Sequence, residues 1–94
     1  MLVSVKALHR TVTIINQRGL HARAAAKFAQ VSSGFDAEIN VSRTGQTVSG
    51  RSIMGLMMLA AAMGCTVELD ISGNEAEPAM QAICQLIERK FDEE

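Results

Sequence analysis

The sequence predicts an open-faced α+β sandwich, in which one sheet carries helices on one of its faces. Three observations lead to this fold class. Segments of alternating apolar and polar residues occur at four places, as in strands with one buried face. Two longer segments repeat apolar residues at the period of an amphipathic helix. The elements follow the order strand, helix, strand, strand, helix, strand, helix, and 94 residues suit one domain, 1–94.

The first strand and the first helix are joined by a short turn. Residues 8–15 alternate and are rich in β-branched side chains, which favours a strand. A turn over 16–19 leads to a helix over about 22–33, which ends before Gly34. Its regularly spaced alanines are expected to face the sheet: Ala22, Ala25, Ala26 and Ala29.

A hairpin and a short helix follow. Strict alternation over 36–43 predicts the second strand, and 47–50 forms the third strand after a turn that contains Gly45. Ser52 is in the position of a helix N-cap. The short helix that it begins is expected to run to about residue 58 or 59.

The C-terminal part of the chain predicts one more strand and one more helix. Residues 66–72 alternate and form the fourth strand. Asn74 is expected to cap the last helix. The apolar stripe of that helix repeats at helical spacing: Ala76, Ala79, Met80, Ile83, Cys84, Ile87 and Phe91. The acidic tail 92–94 is expected to be solvated, and His9 to be exposed and without a role.

The composition excludes several classes of function. A net charge of −1 and 3% aromatic residues provide neither an electrostatic nor a stacking surface for nucleic acid. Cys65 and Cys84 lie in no metal-binding spacing, and buried thiols in a reducing cytoplasm are expected. The longest apolar run, 53–63, is shorter than the roughly 20 residues that cross a bilayer, and residues 1–8 lack the apolar core of a signal peptide. We expect a cytoplasmic protein that binds no membrane.

The segment 19–25, Gly-Leu-His-Ala-Arg-Ala-Ala, carries the candidate chemistry. His21 stands at a helix start, where unpaired N–H groups and the helix dipole favour a neutral, nucleophilic ring. The same environment binds anions, and Arg23 can direct a planar donor fork toward an anion. This combination predicts a site that accepts, holds and releases a phosphoryl group. The alternative is a surface histidine without a catalytic role.

Two motifs resemble one protein family. Gly-Leu-His-Ala-Arg at 19–23 resembles the active-site signature of HPr, the histidine phosphocarrier of the bacterial phosphotransferase system, and 51–57 resembles that family's regulatory-serine segment. The likeness extends over about 8–91. The family usually has proline where Ala24 stands, which concerns the rigidity of the helix start, and lysine or asparagine where Arg51 stands. The resemblance implies a four-stranded antiparallel sheet with three helices on one side.

The resemblance also implies a function. Enzyme I would donate a phosphoryl group from phosphoenolpyruvate to Nδ1 of His21, and the carrier would pass it to an EIIA-type protein. The carrier would be a monomer and a substrate of its partners, not an enzyme, and would need neither a metal nor another cofactor. Ser52 would be a regulatory site for a serine kinase/phosphorylase.

A partner-binding surface is expected around the short helix. A helix that lies on a sheet cannot bury all of its apolar side chains, so Leu56 and Leu59 are expected to point inward. The residues expected to contact partners are Leu20, Arg51, Ile53, Met54 and Met57. Methionine side chains adapt to several partners, although the same residues could also fill the core.

Three other functions remain open at this point. The first is NPr, the nitrogen-related branch of the same family, whose output is regulatory. The second is a small non-catalytic α+β regulatory domain in which His21 is structural. The third is a degraded HPr-like domain that acts only through Ser52, and the presence of both His21 and Arg23 argues against it.

Overall fold

The strands and helices follow the predicted order. The computed structural model describes residues 6–93, so the predictions for 1–5 and for Glu94 lie outside the described residues. The elements are β1 (Ala7–Thr13), α1 (Ala22–Ser33), β2 (Glu38–Arg43), β3 (Gln46–Ser49), α2 (Ile53–Met58), β4 (Thr66–Ser72) and α3 (Ala76–Glu88), with a 3-10 turn at Lys90–Asp92. β1 begins one residue and ends two residues earlier than predicted, β2 is two residues shorter, and β3 begins one residue earlier.

The four strands form one antiparallel sheet with the order β1-β4-β2-β3. Ile71 of β4 lies between Leu8 of β1 and Ile39 of β2, and Leu69 lies opposite Val41. Directly paired residues point to the same side of a sheet, so these apolar side chains form one continuous face. The predicted fold class is confirmed.

The helices cover that apolar face and complete the core. The largest buried side chains come from both layers: Phe28, Leu56, Ile83 and Leu86 from the helices, and Ile39, Val41, Leu69 and Ile71 from the strands. Alternate strand residues, such as Glu68 and Asp70, are exposed on the other face. The sheet is therefore covered on one side only, which is common for antiparallel sheets.

Two details of the helices were predicted wrongly. α1 buries Ala25 and Ala29 as expected but exposes Ala22 and Ala26, because Phe28 and Ala24 lie on its buried face instead. Alanine spacing alone does not distinguish the two faces of an alanine-rich helix. The second wrong prediction is that Asn74 caps the start of α3.

The residue in the N-cap position of α3 is Glu75. Asn74 donates from Nδ2 to Oδ2 of Asp36 at 3.0 Å, and Oε1 of Glu75 accepts from the Asp36 N–H at 2.7 Å. Both side chains therefore bind the loop before β2 and not the first turn of the helix. Pro78 lies in the first turn, as expected.

After α3 the chain reverses through three consecutive left-handed residues. Lys90, Phe91 and Asp92 have φ angles of 58°, 56° and 59°. For residues other than glycine this conformation costs about 1–2 kcal/mol each. Burial of the Phe91 side chain, which is 2% exposed, contributes about 1.5–3 kcal/mol in the opposite direction. Lys27 Nζ also donates to the Phe91 carbonyl at 3.0 Å, so packing and hydrogen bonding hold the turn.

The two cysteines are free thiols beside arginines. Cys84 is buried in α3, and its Sγ lies 3.4 Å from Nη1 of Arg10. Cys65 is half-buried, less than predicted, and lies 3.3 Å from Nη2 of Arg43. Among residues 6–93, no helix is long and apolar enough to cross a membrane, and no cluster of three or more acidic, histidine or cysteine side chains is arranged to hold a metal ion.

Candidate functional site

The loop before α1 is fixed by a short network of hydrogen bonds. Asn16 Nδ2 donates to the Gly19 carbonyl at 2.8 Å, and the Leu20 N–H donates to the Ala61 carbonyl at 2.9 Å. Gly19 has a φ of +66°, and a Cβ at this position would lie only 2.4 Å from the Ala61 oxygen. Only glycine fits here, because it has no Cβ and adopts positive φ readily. The loop is thereby held against the segment that follows α2, and it presents His21.

His21 occupies the N-cap position of α1, as predicted. Its backbone is extended, and its carbonyl accepts the first helical hydrogen bond from Ala25 at 2.8 Å. Its side chain is 25% exposed. The ring does not cap the helix. Instead, its Nε2 lies 2.9 Å from Oε2 of Glu93.

Glu93 is held in place by three groups. Its Oε2 also accepts from Asn16 Nδ2 at 3.1 Å, and its Oε1 accepts from the Arg18 N–H at 3.1 Å. The Asn16 hydrogen bond is the main reason that the pKa of Glu93 lies below its ordinary value. Burial opposes this shift, and the contacts with Arg18 and His21 add to it. The prediction of a solvated tail was therefore wrong for Glu93.

A cavity of about 880 Å³ opens beside the His21 ring. Three cationic side chains line it, those of Arg18, Arg23 and Lys27, together with the carboxylates of Asp92 and Glu93. Lys27 is paired with Asp92 at 3.4 Å, and the three cations exceed the two carboxylates by one charge, which favours an anion such as a phosphoryl group. The structure thus brings the two predicted residues, His21 and Arg23, to the same cavity.

Sequence reasoning missed the other residues of the cavity. Lys27 had a usable signal, because it follows Arg23 by four residues and therefore lies on the same face of the helix. For Arg18 the only signal in the sequence was its position three residues before His21. Glu93 had no local signal, since its approach to His21 depends on the left-handed turn after α3.

Ser52 is the N-cap of α2, as predicted. Its Oγ accepts from the Gly55 N–H at 2.9 Å. The neighbouring Arg51 is exposed, and its Nη2 donates to the carbonyls of Phe35 and Ala37 at 2.9 and 3.0 Å. One nitrogen of that guanidinium therefore fastens the loop between α1 and β2.

The outer side of α2 is apolar and exposed. Ile53, Met54 and Met57 are 42%, 73% and 41% exposed, whereas Leu56 and Leu59 are buried, as the sequence predicted. The prediction did not include Met58 and Met63, which are also exposed. Leu20 is 5% exposed and packs in the core, so its side chain is not available as a contact residue.

The second histidine lies elsewhere, on the open face of the sheet. His9 is exposed, as expected, but it is not idle, because its Nδ1 lies 2.8 Å from Oδ1 of Asp70 on the adjacent strand. This hydrogen bond is the main reason that the pKa of His9 is raised. Burial opposes the shift, and the charges of Asp70 and Glu68 add to it.

Comparisons with known proteins agree with this architecture. The family model described as "PTS HPr component phosphorylation site" matches residues 8–89. The phosphocarrier protein HPr of Cupriavidus necator is 48% identical over 86 residues, which cover 92% of this chain and 97% of that protein. The phosphocarrier protein NPr of Shewanella violacea is 49% identical over 92% of this chain and 94% of its own length.

The fold has a counterpart among solved structures. The crystal structure of HPr-C-His from Thermoanaerobacter tengcongensis superposes with a TM-score of 0.88 at 42% identity, over 93% of this chain and 98% of that one. The family match spans most of the chain, and both curated relatives align over nearly their whole length. This chain therefore belongs to the HPr family of phosphocarrier proteins of the phosphotransferase system.

Proposed function

We propose that this protein accepts a phosphoryl group on Nδ1 of His21 from phosphorylated enzyme I and passes it to EIIA-type proteins in the cytoplasm. The observation that carries the proposal is the position of the ring. It is partly exposed, stands at the start of a helix, and borders a cavity with three cationic side chains. In this account the protein is a monomeric carrier and not an enzyme, and it uses neither a metal nor another cofactor.

The surroundings of His21 suit both acceptance and release. The first-turn N–H groups of α1 and the guanidinium of Arg23 attract the phosphoryl oxygens. Asp92 and Glu93 on the other side of the cavity limit its net positive charge. A carrier needs such a balance, because a site that binds the phosphoryl group too tightly does not pass it on.

Partner proteins are proposed to dock on one surface, the α2 patch, which consists of Ile53, Met54, Met57 and the exposed part of Arg51. The Leu20 N–H bonds the Ala61 carbonyl, which ties the His21 loop to the segment directly after α2. A partner that covers the α2 patch therefore lies close to the ring. Flexible methionine side chains suit successive contacts with enzyme I and an EIIA-type protein.

Ser52 is proposed as a regulatory phosphorylation site for a serine kinase/phosphorylase. Ser52 is half-buried at the start of α2, beside the α2 patch. A phosphate there adds a charge of about −1.5 to −2 at the edge of the docking surface. The proposed effect is weaker docking and not unfolding, because acidic groups are tolerated at helix starts.

The alternative is the nitrogen branch, in which the phosphoryl group serves regulation and not sugar uptake. It is favoured by the NPr relative, which matches this chain as well as the HPr relative does. Parallel transfer assays with enzyme I of the sugar branch and with its nitrogen-branch counterpart distinguish the two by rate.

The test of the carrier function is phosphoryl transfer in vitro. The protein is mixed with enzyme I and radiolabelled phosphoenolpyruvate, and the product is exposed to acid and to alkali. We expect a label that acid removes and alkali does not, its loss in His21→Ala, and its retention in the matched control His9→Gln. An unlabelled wild-type protein, or a labelled His21→Ala protein, would contradict the proposal.

A further inference from the structure

The His21 ring faces a carboxylate of the tail that follows α3. An ionised carboxylate only accepts hydrogen bonds, so the ring nitrogen that faces it must be the donor. Nε2 of His21 faces Oε2 of Glu93 at 2.9 Å. A neutral ring in this arrangement carries its proton on Nε2, and its lone pair lies on Nδ1.

We propose that Glu93 is a positioning residue for phosphoryl transfer, which holds the His21 ring in the tautomer that leaves Nδ1 as the nucleophile. The inference rests on the proposed function, since it concerns how His21 accepts the phosphoryl group. It adds a role for Glu93, the last described residue, to a site otherwise built from the loop and the start of α1.

The fold holds this carboxylate in a defined orientation. Asn16, which is fully buried, donates to the same oxygen that faces His21, and the Arg18 N–H binds the other oxygen. The left-handed turn at 90–92 directs the tail back toward α1. Backbone of this kind persists where surrounding contacts enforce it, and it is common at functional sites. Buried Phe91 and the hydrogen bond from Lys27 supply such contacts here.

The carboxylate also compensates charge during the transfer step. The Nδ1 lone pair forms a bond to phosphorus, the bond between phosphorus and the donor atom breaks, and its electron pair returns to the donor. Nε2 keeps its proton, so the ring gains positive charge next to Glu93. When the phosphoryl group leaves, the electron pair of the nitrogen–phosphorus bond returns to Nδ1. The phosphorylated donor is the only co-reactant.

The first test reads the ring directly by nitrogen NMR of the full chain with isotope-labelled histidine. The measurement is made at about pH 9, more than two units above the ordinary histidine pKa. We expect His21 to show an Nε2–H proton that exchanges slowly with water. His9 serves as an internal control with the opposite tautomer, because its Nδ1 faces Asp70.

Variants of Glu93 then test whether the tail controls the ring. Glu93→Ala should broaden or remove the Nε2–H signal of His21 and leave the Nδ1–H signal of His9 unchanged. Glu93→Gln keeps an accepting oxygen but no charge, so it should retain part of the signal. Glu88→Ala removes an exposed carboxylate at the end of α3 and should change neither ring. Melting curves confirm that each variant is folded.

The second test is the rate of phosphoryl acceptance from phosphorylated enzyme I. Removal of the group that orients a functional histidine typically costs about 10–100-fold, as measured for metal-bound histidines. We expect a loss of that size in Glu93→Ala, a smaller loss in Glu93→Gln and none in Glu88→Ala.

Three results would overturn the inference: an Nδ1–H tautomer in the wild-type protein, an unchanged Nε2–H signal in Glu93→Ala, or an unchanged transfer rate in that variant. If the wild-type protein accepts no phosphoryl group but the Nε2–H signal depends on Glu93, the proposed function fails. In that case the control of the ring by the tail is supported separately.

Discussion

At the scale of single residues, Arg23 has a proposed role that substitution can test directly. It lies in the first turn of α1, two residues after His21, and its exposed side chain borders the cavity. A planar guanidinium can bind two phosphoryl oxygens at once, whereas an ammonium acts as a point charge. Arg23 should therefore act on the transferred group more than on the docking of the partner.

Arg23→Ala should lower the transfer rate by about 10²-fold, a usual effect of removing one donor that stabilises a developing charge. The enzyme I concentration at half-maximal rate should change little. Arg23→Lys should recover only part of the rate. Arg10→Ala, which removes an exposed arginine of β1, is the matched control. Wild-type rates in both Arg23 variants would remove Arg23 from the site.

His9 makes a different prediction, which concerns stability and not transfer. Its hydrogen bond with Asp70 raises its pKa in the folded state. The resulting stabilisation is fully present below the unfolded-state value of about 6.5 and is lost as the pH rises through the higher folded-state value. The pair therefore stabilises the contact between β1 and β4 under mildly acidic conditions.

His9→Gln should lower the melting temperature more at about pH 5.5 than at about pH 9, on the two sides of the histidine titration. Melting curves of both proteins at the two pH values make the comparison. An equal decrease in melting temperature at both pH values would show that the charged pair of His9 and Asp70 does not contribute to stability.

At the scale of elements, the contact between the His21 loop and the segment after α2 depends on Gly19. A side chain there would meet both a positive φ and the Ala61 backbone. Gly64 provides a matched position, because its φ is +91° but a Cβ would find no described atom within 4 Å. The two glycines therefore separate backbone strain from steric overlap.

Gly64→Ala should cost about 1–2 kcal/mol in the free energy of unfolding, the cost of a left-handed alanine. Gly19→Ala should cost about 1–3 kcal/mol more, because steric overlap adds to that strain. Urea titration measures both values. Transfer should also fall in Gly19→Ala, since the loop that presents His21 is displaced. Equal losses in the two variants would contradict this account of Gly19.

The same scale shows what the sequence could and could not predict. Strands and helices with clear periodicity, such as β4 and α1, were placed with their observed bounds because period and burial are linked directly. The buried face of α1 was partly wrong, since alanine provides too little contrast between faces. The Asn74 cap was wrong because a loop side chain, Asp36, competes for it.

The candidate site also has a part that the sequence predicts and a part that it does not. His21 and Arg23 are close in sequence, so a short motif predicts that they meet. Glu93 reaches His21 only through an unusual backbone turn at 90–92 and a buried Asn16. Such long-range pairings arise from packing, and no local pattern in the sequence encodes them.

At the scale of the whole molecule, α2 links the proposed regulatory site to the loop that carries the proposed acceptor site. α2 packs against α1, and the segment after α2 holds the His21 loop by a backbone hydrogen bond. Ser52 begins α2, beside the α2 patch. Charge at Ser52 should therefore affect partner docking without contact with His21.

Ser52→Asp should slow transfer mainly by weaker association with enzyme I, because an added carboxylate opposes docking on an acidic partner surface. The fold should survive, since aspartate is also a good N-cap. The defect should shrink as ionic strength rises from about 0.01 to about 1 M, over which the Debye length falls from about 30 to about 3 Å.

Ser42→Asp, on the open face of the sheet, adds the same charge away from the α2 patch and should transfer normally. The measurement is the transfer rate against enzyme I concentration at both ionic strengths, with melting curves as a control. A Ser52→Asp protein with an unchanged rate would refute the docking role of this position. A collapsed melting curve would show that Ser52 is only a structural cap.

The most direct test of the central claim is to locate the phosphoryl group on the wild-type protein after reaction with enzyme I and phosphoenolpyruvate. Mass spectrometry under alkaline conditions, followed by peptide mapping, identifies the modified residue. The account predicts a single acid-labile phosphoryl group on His21. A phosphoryl group on His9 or on a serine would contradict the account. So would a protein that carries no phosphoryl group.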